Sequence, residues 1–74
     1  MTKTFKIGEY AIGGIIKVET TIHNVKISAL DWNTEEVIMS SDFIKLDKWE
    51  IQQFLNDLTS WYHAEKIMQF INKN

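Results

Sequence analysis

The sequence predicts an α+β fold in which a four-stranded antiparallel meander sheet precedes a C-terminal helical segment. Two observations predict this fold. β-prone runs with apolar residues at every second position fill the first half of the chain, whereas the last third carries apolar residues at helical spacing. The 74 residues suffice for one domain over 1–74. We expect the sheet over 3–41 and the helical segment over 47–72.

The first two predicted strands flank Gly13-Gly14. This pair predicts a tight hairpin, because a type I′ turn needs positive φ at both central residues. Ile22–Asn24 and Asn33-Thr34-Glu35 are rich in turn residues and predict the next two connections. The predicted strands are Thr4–Ile12, Ile15–Thr21, Val25–Trp32 and Glu36–Ser40.

Side chains alternate between the two faces of a strand, so the strands predict one apolar face and one mixed face. Val25, Ile27 and Ala29 of the third strand lie on the apolar face. The mixed face carries lysines together with Leu30 and Trp32. We therefore expect the mixed face to have a role beyond contact with solvent.

Asp47 is predicted to be the N-cap of the helical segment, with Glu50 three residues later. The first apolar stripe comprises Ile51, Phe54, Leu55, Leu58, Trp61 and Tyr62. The second stripe, Ala64, Ile67, Met68 and Ile71, falls on nearly the opposite side of an ideal helix. Either the helix breaks near Thr59-Ser60, with Ser60 capping a second helix, or one long helix packs first on its own sheet and then on a partner.

The amino-acid composition and the distribution of charge exclude several classes of protein. The chain has a net charge of −2, no cysteine and no arginine. Residues 1–30 hold an excess of lysine, whereas residues 31–74 are acidic. No stretch has the ~20 apolar residues of a membrane span, and no signal peptide is visible at Met1–Gly8. We expect a cytoplasmic protein without membrane contact, metal site or small-molecule cofactor.

No motif for catalysis is present. Gly13-Gly14 lacks the lysine and the following helix of a phosphate-binding loop. Asp31, Glu35 and Glu36 are close in sequence, but a hairpin turn favours solvated carboxylates over a catalytic pair. We expect the chain not to be an enzyme.

The mixed face suggests single-stranded nucleic acid as a ligand. In such sites lysines neutralise phosphates and aromatic rings stack on bases. The predicted contacts are Lys6, Tyr10, Lys17, Lys26 and Trp32. Alternatively, the apolar residues of this face are covered by the helices or by a second subunit.

Several segments follow one another in an order typical of a known family. They are Phe5-Lys6-Ile7-Gly8, Val25-Lys26-Ile27, Asp31-Trp32, the turn Asn33-Thr34-Glu35-Glu36, Met39, Phe43-Ile44-Lys45-Leu46 and the helix from Asp47 through Glu50. The chain thereby resembles the positive-cofactor-four transcriptional coactivators, which are small dimeric single-stranded-DNA-binding domains with a four-stranded sheet and a C-terminal helix. The resemblance implies a homodimer that binds single-stranded DNA. The chain departs from the family pattern at Ser40-Ser41-Asp42, where relatives carry a basic segment.

A second hypothesis is a protein-interaction module. The acidic composition is similar to that of some anti-CRISPR proteins, which implies a phage or mobile-element inhibitor that binds a larger host protein complex. An acidic surface is suited to a basic groove on such a partner. The residues predicted for this interface are Asp31, Glu35, Glu36, Asp42, Asp47, Trp61, Ile67, Met68 and Ile71.

Overall fold

A computed structural model describes residues 1–74 as a four-stranded antiparallel sheet followed by two helices. The strand order β1-β2-β3-β4 follows the chain, as in a meander. This confirms the α+β prediction. The elements are β1 (Thr2–Lys6), β2 (Gly14–Thr20), β3 (Asn24–Asp31), β4 (Val37–Ile44), α1 (Lys48–Leu58) and α2 (Trp61–Lys73).

The core lies between one sheet face and the two helices. The predicted apolar face of β3 supplies Val25, Ile27 and Ala29, all fully buried. The helices contribute their own apolar stripes to the same cluster, because amphipathic helices bury one side against the sheet. The cluster consists of Ile16, Val18, Val25, Ile27, Ala29, Ile51, Leu55, Leu58, Ala64, Ile67, Met68 and Ile71.

The connection between β1 and β2 differs from the predicted hairpin. β1 ends at Lys6, and the chain passes through a loop before β2 begins at Gly14. Gly13 and Gly14 do adopt positive φ, 73° and 97°, but Gly8 also does so at 85° and turns the chain earlier. The predicted strand Thr4–Ile12 is therefore wrong beyond Lys6.

Contacts with the helices hold this loop. The backbone N–H of Ile12 donates to the carbonyl of Leu58 at 2.8 Å, and Ala11 forms an isolated bridge with Thr59. The loop thus satisfies its backbone groups against the helical segment instead of continuing the hairpin. Local sequence contains no signal for this long-range pairing.

β4 is longer than the predicted strand and extends to Ile44. Ser40, Ser41 and Asp42 have low β propensity, yet each pairs with a residue of β3. The hydroxyls of Ser28 and Ser40 lie 3.0 Å apart across the two strands. The cross-strand partners therefore outweigh the weak local preference of this segment.

The helical segment breaks where one of the two interpretations placed the break. Thr59 is extended, with φ −154° and ψ 179°, and Ser60 occupies the N-cap position of α2. Neither Asp47 nor Ser60 makes a side-chain capping hydrogen bond. The break redirects α2, so that both apolar stripes face one core.

The two residues after the break do not belong to the buried stripe. Trp61 and Tyr62 are 71% and 55% exposed. Because the helix ends at Leu58, the periodicity of α1 does not extend to these two aromatic residues. They are available at the surface of the first turn of α2.

Candidate functional site

The face of the sheet opposite the helices carries all three lysines that were predicted to contact nucleic acid. Lys6, Lys17 and Lys26 lie there by strand register. Lys26, however, pairs with Glu19 on one side and with Asp42 on the other. Two acidic residues therefore flank Lys26 across the sheet, and this face holds no continuous basic path.

Trp32 lies at one end of this face, just after β3. Its backbone N–H donates to the carbonyl of Gly13 at 2.7 Å, and its ring lies beside Gly14. The side chain remains 51% exposed. Ile15 and Leu30, beside it on the same face, are buried even though no helix covers them.

Tyr10 does not join the lysines of that face, contrary to the sequence interpretation. It lies in the β1–β2 loop, and its carbonyl accepts a hydrogen bond from the hydroxyl of Thr59. Its ring centroid is 6.1 Å from that of His63 on α2. Strand parity did not apply to Tyr10, because β1 had already ended at Lys6.

A cleft of about 500 Å³ lies between β1 and α2. Four of the eight lysines line it together with His63, and no carboxylate side chain is among its lining residues. We call this cleft the basic groove. Lys3, Lys66 and Lys73 lie on the helix side, and Lys6, which register places on the opposite sheet face, borders the groove at the end of the edge strand β1.

Two phenylalanines join the walls of the basic groove. The rings of Phe5 on β1 and Phe70 on α2 meet edge to face, with centroids 5.9 Å apart. The Nζ of Lys3 lies 5.1 Å from the Phe5 centroid and 5.6 Å from that of Phe70. A cation over aromatic rings is stabilised by their quadrupoles, so Lys3 has a defined position in the groove.

Exposed aromatic rings continue from one end of the basic groove. His63 lines the groove and also contacts Tyr10 and Tyr62, with ring centroids 6.1 Å and 5.2 Å away. The Nζ of Lys66 lies 5.6 Å from the centroid of Tyr62. Lysines and exposed aromatic rings thus form one continuous surface along α2.

Only part of this surface was predicted from sequence. Of the five predicted contacts, Lys6 and Tyr10 also belong to the surface along the basic groove. Lys17, Lys26 and Trp32 lie only on the sheet face opposite the helices. Sequence reasoning missed Lys3, Phe5, Lys66, Phe70 and Lys73. One signal was available, since Tyr62, Lys66, Gln69 and Lys73 recur at helical spacing and share one face of α2.

The acidic residues of the alternative hypothesis do not form one patch. Asp31, Glu35 and Glu36 lie at the β3–β4 turn, whereas Asp42 and Asp47 lie toward the other end of β4. Ile67, Met68 and Ile71 were predicted to contact a partner, and this is wrong for the chain as folded, because all three are buried in the core. Trp61 is the exposed apolar member of that set.

Asp31 organises the β3–β4 turn. Its Oδ1 accepts hydrogen bonds from the backbone N–H of Asn33 at 2.9 Å and of Thr34 at 3.0 Å. The N–H groups of Thr34 and Asn33 favour the charged form and hold the pKa of Asp31 below its ordinary 3.8. This carboxylate has a structural role in the turn.

The lowered pKa predicts a pH dependence of stability. The stabilisation from Asp31 is present above its ordinary pKa and is lost as the pH falls through the lowered value. Asp31→Asn keeps an acceptor oxygen but removes the titration. We expect thermal unfolding, followed by circular dichroism from about pH 5 to pH 2, to show a smaller loss of stability in Asp31→Asn than in the wild type. Glu65→Gln, at an exposed position of α2, is the control, and equal losses in wild type and Asp31→Asn would refute the prediction.

No three His, Asp or Glu side chains lie close enough together to hold a metal ion. Neither helix has the length and apolar character needed to cross a membrane. No family model matches the chain, and neither does a curated protein or a solved structure.

Proposed function

We propose that this chain is a non-catalytic binding protein that holds single-stranded nucleic acid in the basic groove between β1 and α2. One observation carries the proposal. In a protein of net charge −2, four lysines line a groove that no carboxylate side chain lines, and exposed aromatic rings extend it.

The charge arrangement is suited to a phosphate backbone. Lys6, Lys66 and Lys73 are exposed, so each ammonium can meet a phosphate without losing its hydration beforehand. Binding would release counterions and would therefore depend strongly on salt. With lysine and no arginine, the groove offers point charges and lacks the bidentate fork that reads guanine.

The aromatic residues favour a single strand over a duplex. Tyr10 and Tyr62 are 62% and 55% exposed, so their rings can accept stacked bases. Bases in a duplex are already stacked on one another and are not free to pack on a protein ring. The expected ligand is a short single-stranded segment bound with little sequence preference.

The test is fluorescence anisotropy of a labelled single-stranded oligonucleotide over a range of salt concentrations. Four phosphate contacts predict a log–log slope of about −2.8, from about −0.7 per contact. The double variant Lys66→Ala/Lys73→Ala should reduce the magnitude of the slope by about 1.4. Tyr62→Ala should weaken binding about 5- to 150-fold, the equivalent of one stacked base.

A matched double variant on the other sheet face separates the groove from the site predicted by sequence. Lys17→Ala/Lys26→Ala removes the same charge, and we expect it to leave the slope nearly unchanged. No binding at low salt, or an equal loss in both double variants, would refute the groove as the site.

We also propose a cytoplasmic location and a role in regulating transcription or another process on single-stranded nucleic acid, following the family resemblance. The geometry supports the acidic interaction surface less well, because its carboxylates are divided between the two ends of β4.

A further inference from the structure

β4 is the edge of the sheet farthest from the basic groove. The outward backbone N–H and C=O groups of an edge strand are unpaired and can template another strand. Protected edges are short or carry lysine, proline or bulges. β1 follows this rule, with five residues that include Lys3 and Lys6.

β4 has few of these protective features. The strand has eight residues, and Asp42 is its one charged side chain. Its exposed apolar side chains include Ile38, Met39 and Ile44, at 49%, 41% and 64% exposure. The register irregularity lies at Ile38, between the pairs Ala29–Met39 and Leu30–Val37, and leaves the ladder from Met39 to Ile44 regular.

The sequence of β4 is self-complementary about Ser41. Moving outward from Ser41, Ser40 corresponds to Asp42, Met39 to Phe43 and Ile38 to Ile44. A two-fold interface places the same patch of both subunits in contact, so it needs such a symmetric pattern.

Strand register agrees with this pattern. Met39, Ser41 and Phe43 pair with Ala29, Ile27 and Val25 and therefore lie on the helix side of the sheet. In an antiparallel pair centred on Ser41, Met39 would face Phe43 of the second copy on that same side. Asp42 would face Ser40 of the second copy, and it already has Lys26 as its neighbour on β3. Within Ile38–Ile44, no charge is then left opposite an apolar residue.

We propose that the free edge of β4 pairs with β4 of a second copy about a two-fold axis at Ser41, which joins the two sheets into one antiparallel sheet. Pairing uses both free β4 edges and stops at two chains. Because β1 lies at the opposite edge of each sheet, the basic grooves stay open at the two ends of the dimer.

The first test is the mass in solution, measured by light scattering after size-exclusion chromatography. We expect twice the mass of the chain for the wild type. Met39→Lys puts a lysine opposite Phe43 of the second copy at two symmetric positions and should give a monomer. Ile22→Lys makes the same kind of change at an 83% exposed position in the β2–β3 turn and should remain dimeric.

The axis at Ser41 allows a second test, because a residue on the axis faces its own copy. Ser41→Lys and Ser41→Glu should each be monomeric, and a mixture of the two should recover a dimer. The chain has no cysteine, so Ser41→Cys should cross-link only between copies. Directly opposed Cα atoms lie about 4.5–5.5 Å apart, within the roughly 4.4–6.8 Å that a disulfide spans.

A monomeric wild type would overturn the proposal, as would larger oligomers or a dimer that Met39→Lys and the single Ser41 variants leave intact. Circular dichroism verifies that each variant is folded. If a Ser41 variant is unfolded, the mass of Met39→Lys in solution decides whether β4 forms the dimer interface. Oligonucleotide binding is measured in a separate experiment. A monomeric protein would therefore refute the dimer without refuting nucleic-acid binding in the basic groove.

Discussion

Ile67→Ala is expected to lower the free energy of unfolding by about 2–5 kcal/mol, as large-to-small changes at fully buried positions do. Ile67 is fully buried within the cluster formed by the sheet and both helices. The loss combines the transfer free energy of the removed methyl groups with the cavity left behind. A domain of 74 residues has only about 4–11 kcal/mol in total, so this variant should lose a large share of the stability of the fold.

The measurement is urea unfolding followed by tryptophan fluorescence at one fixed protein concentration, because association would otherwise shift the midpoint. Ile22→Ala is the matched control, since the same side chain is truncated at a position that is 83% exposed. We expect that control within about 0.5 kcal/mol of the wild type. If Ile67→Ala changed the oligomeric state but not the stability of the monomer, α2 would pack on a partner and not on its own core.

Gly13→Ala is expected to destabilise the protein by about 3 kcal/mol. The φ of Gly13 is 73°, a left-handed conformation that costs an alanine roughly 1–2 kcal/mol. A Cβ at this position would also overlap the carbonyl oxygen of Leu30 and the Cδ1 of Ile38. Because Leu30 belongs to a central strand, its backbone cannot move aside without disturbing the sheet, and overpacking adds about 1–3 kcal/mol.

Gly8→Ala isolates the conformational part of that effect. Gly8 has a φ of 85°, but an added Cβ would have no heavy atom within 4 Å. We expect this variant to lose roughly 1–2 kcal/mol, for the left-handed conformation alone. The same urea titration compares the two variants, and equal losses would show that the contact with Leu30 and Ile38 does not limit the site.

Local patterns were sufficient for most of the fold. Alternation at Val25, Ile27 and Ala29 identified both the third strand and its buried face, because a strand repeats every second residue. The shift of apolar phase after Tyr62 indicated either a break or one long helix, and the structure has a break at Thr59. These features depend on residues close together in sequence, and a single sequence is therefore sufficient to predict them.

The candidate site was predicted only in part. Lys6 and Tyr10 were identified, but they were assigned to a shared sheet face, and Lys17, Lys26 and Trp32 were assigned with them. The basic groove instead joins β1 to α2 through the contact between Phe5 and Phe70. A groove between the first strand and the last helix depends on how those elements pack, and residue spacing carries no information about that.

The order of the elements and the buried face of the sheet could be derived from the sequence alone, whereas the choice between a broken helix and one long helix could not. The order and the buried face follow from local periodicity and from the conformational preferences of turn residues. Where β1 ends, how far β4 extends and which lysines line one groove became known from the three-dimensional structure. Those outcomes depend on pairing between distant segments, such as Ile12 with Leu58 and Asp42 with Lys26, whose energies outweigh local propensity.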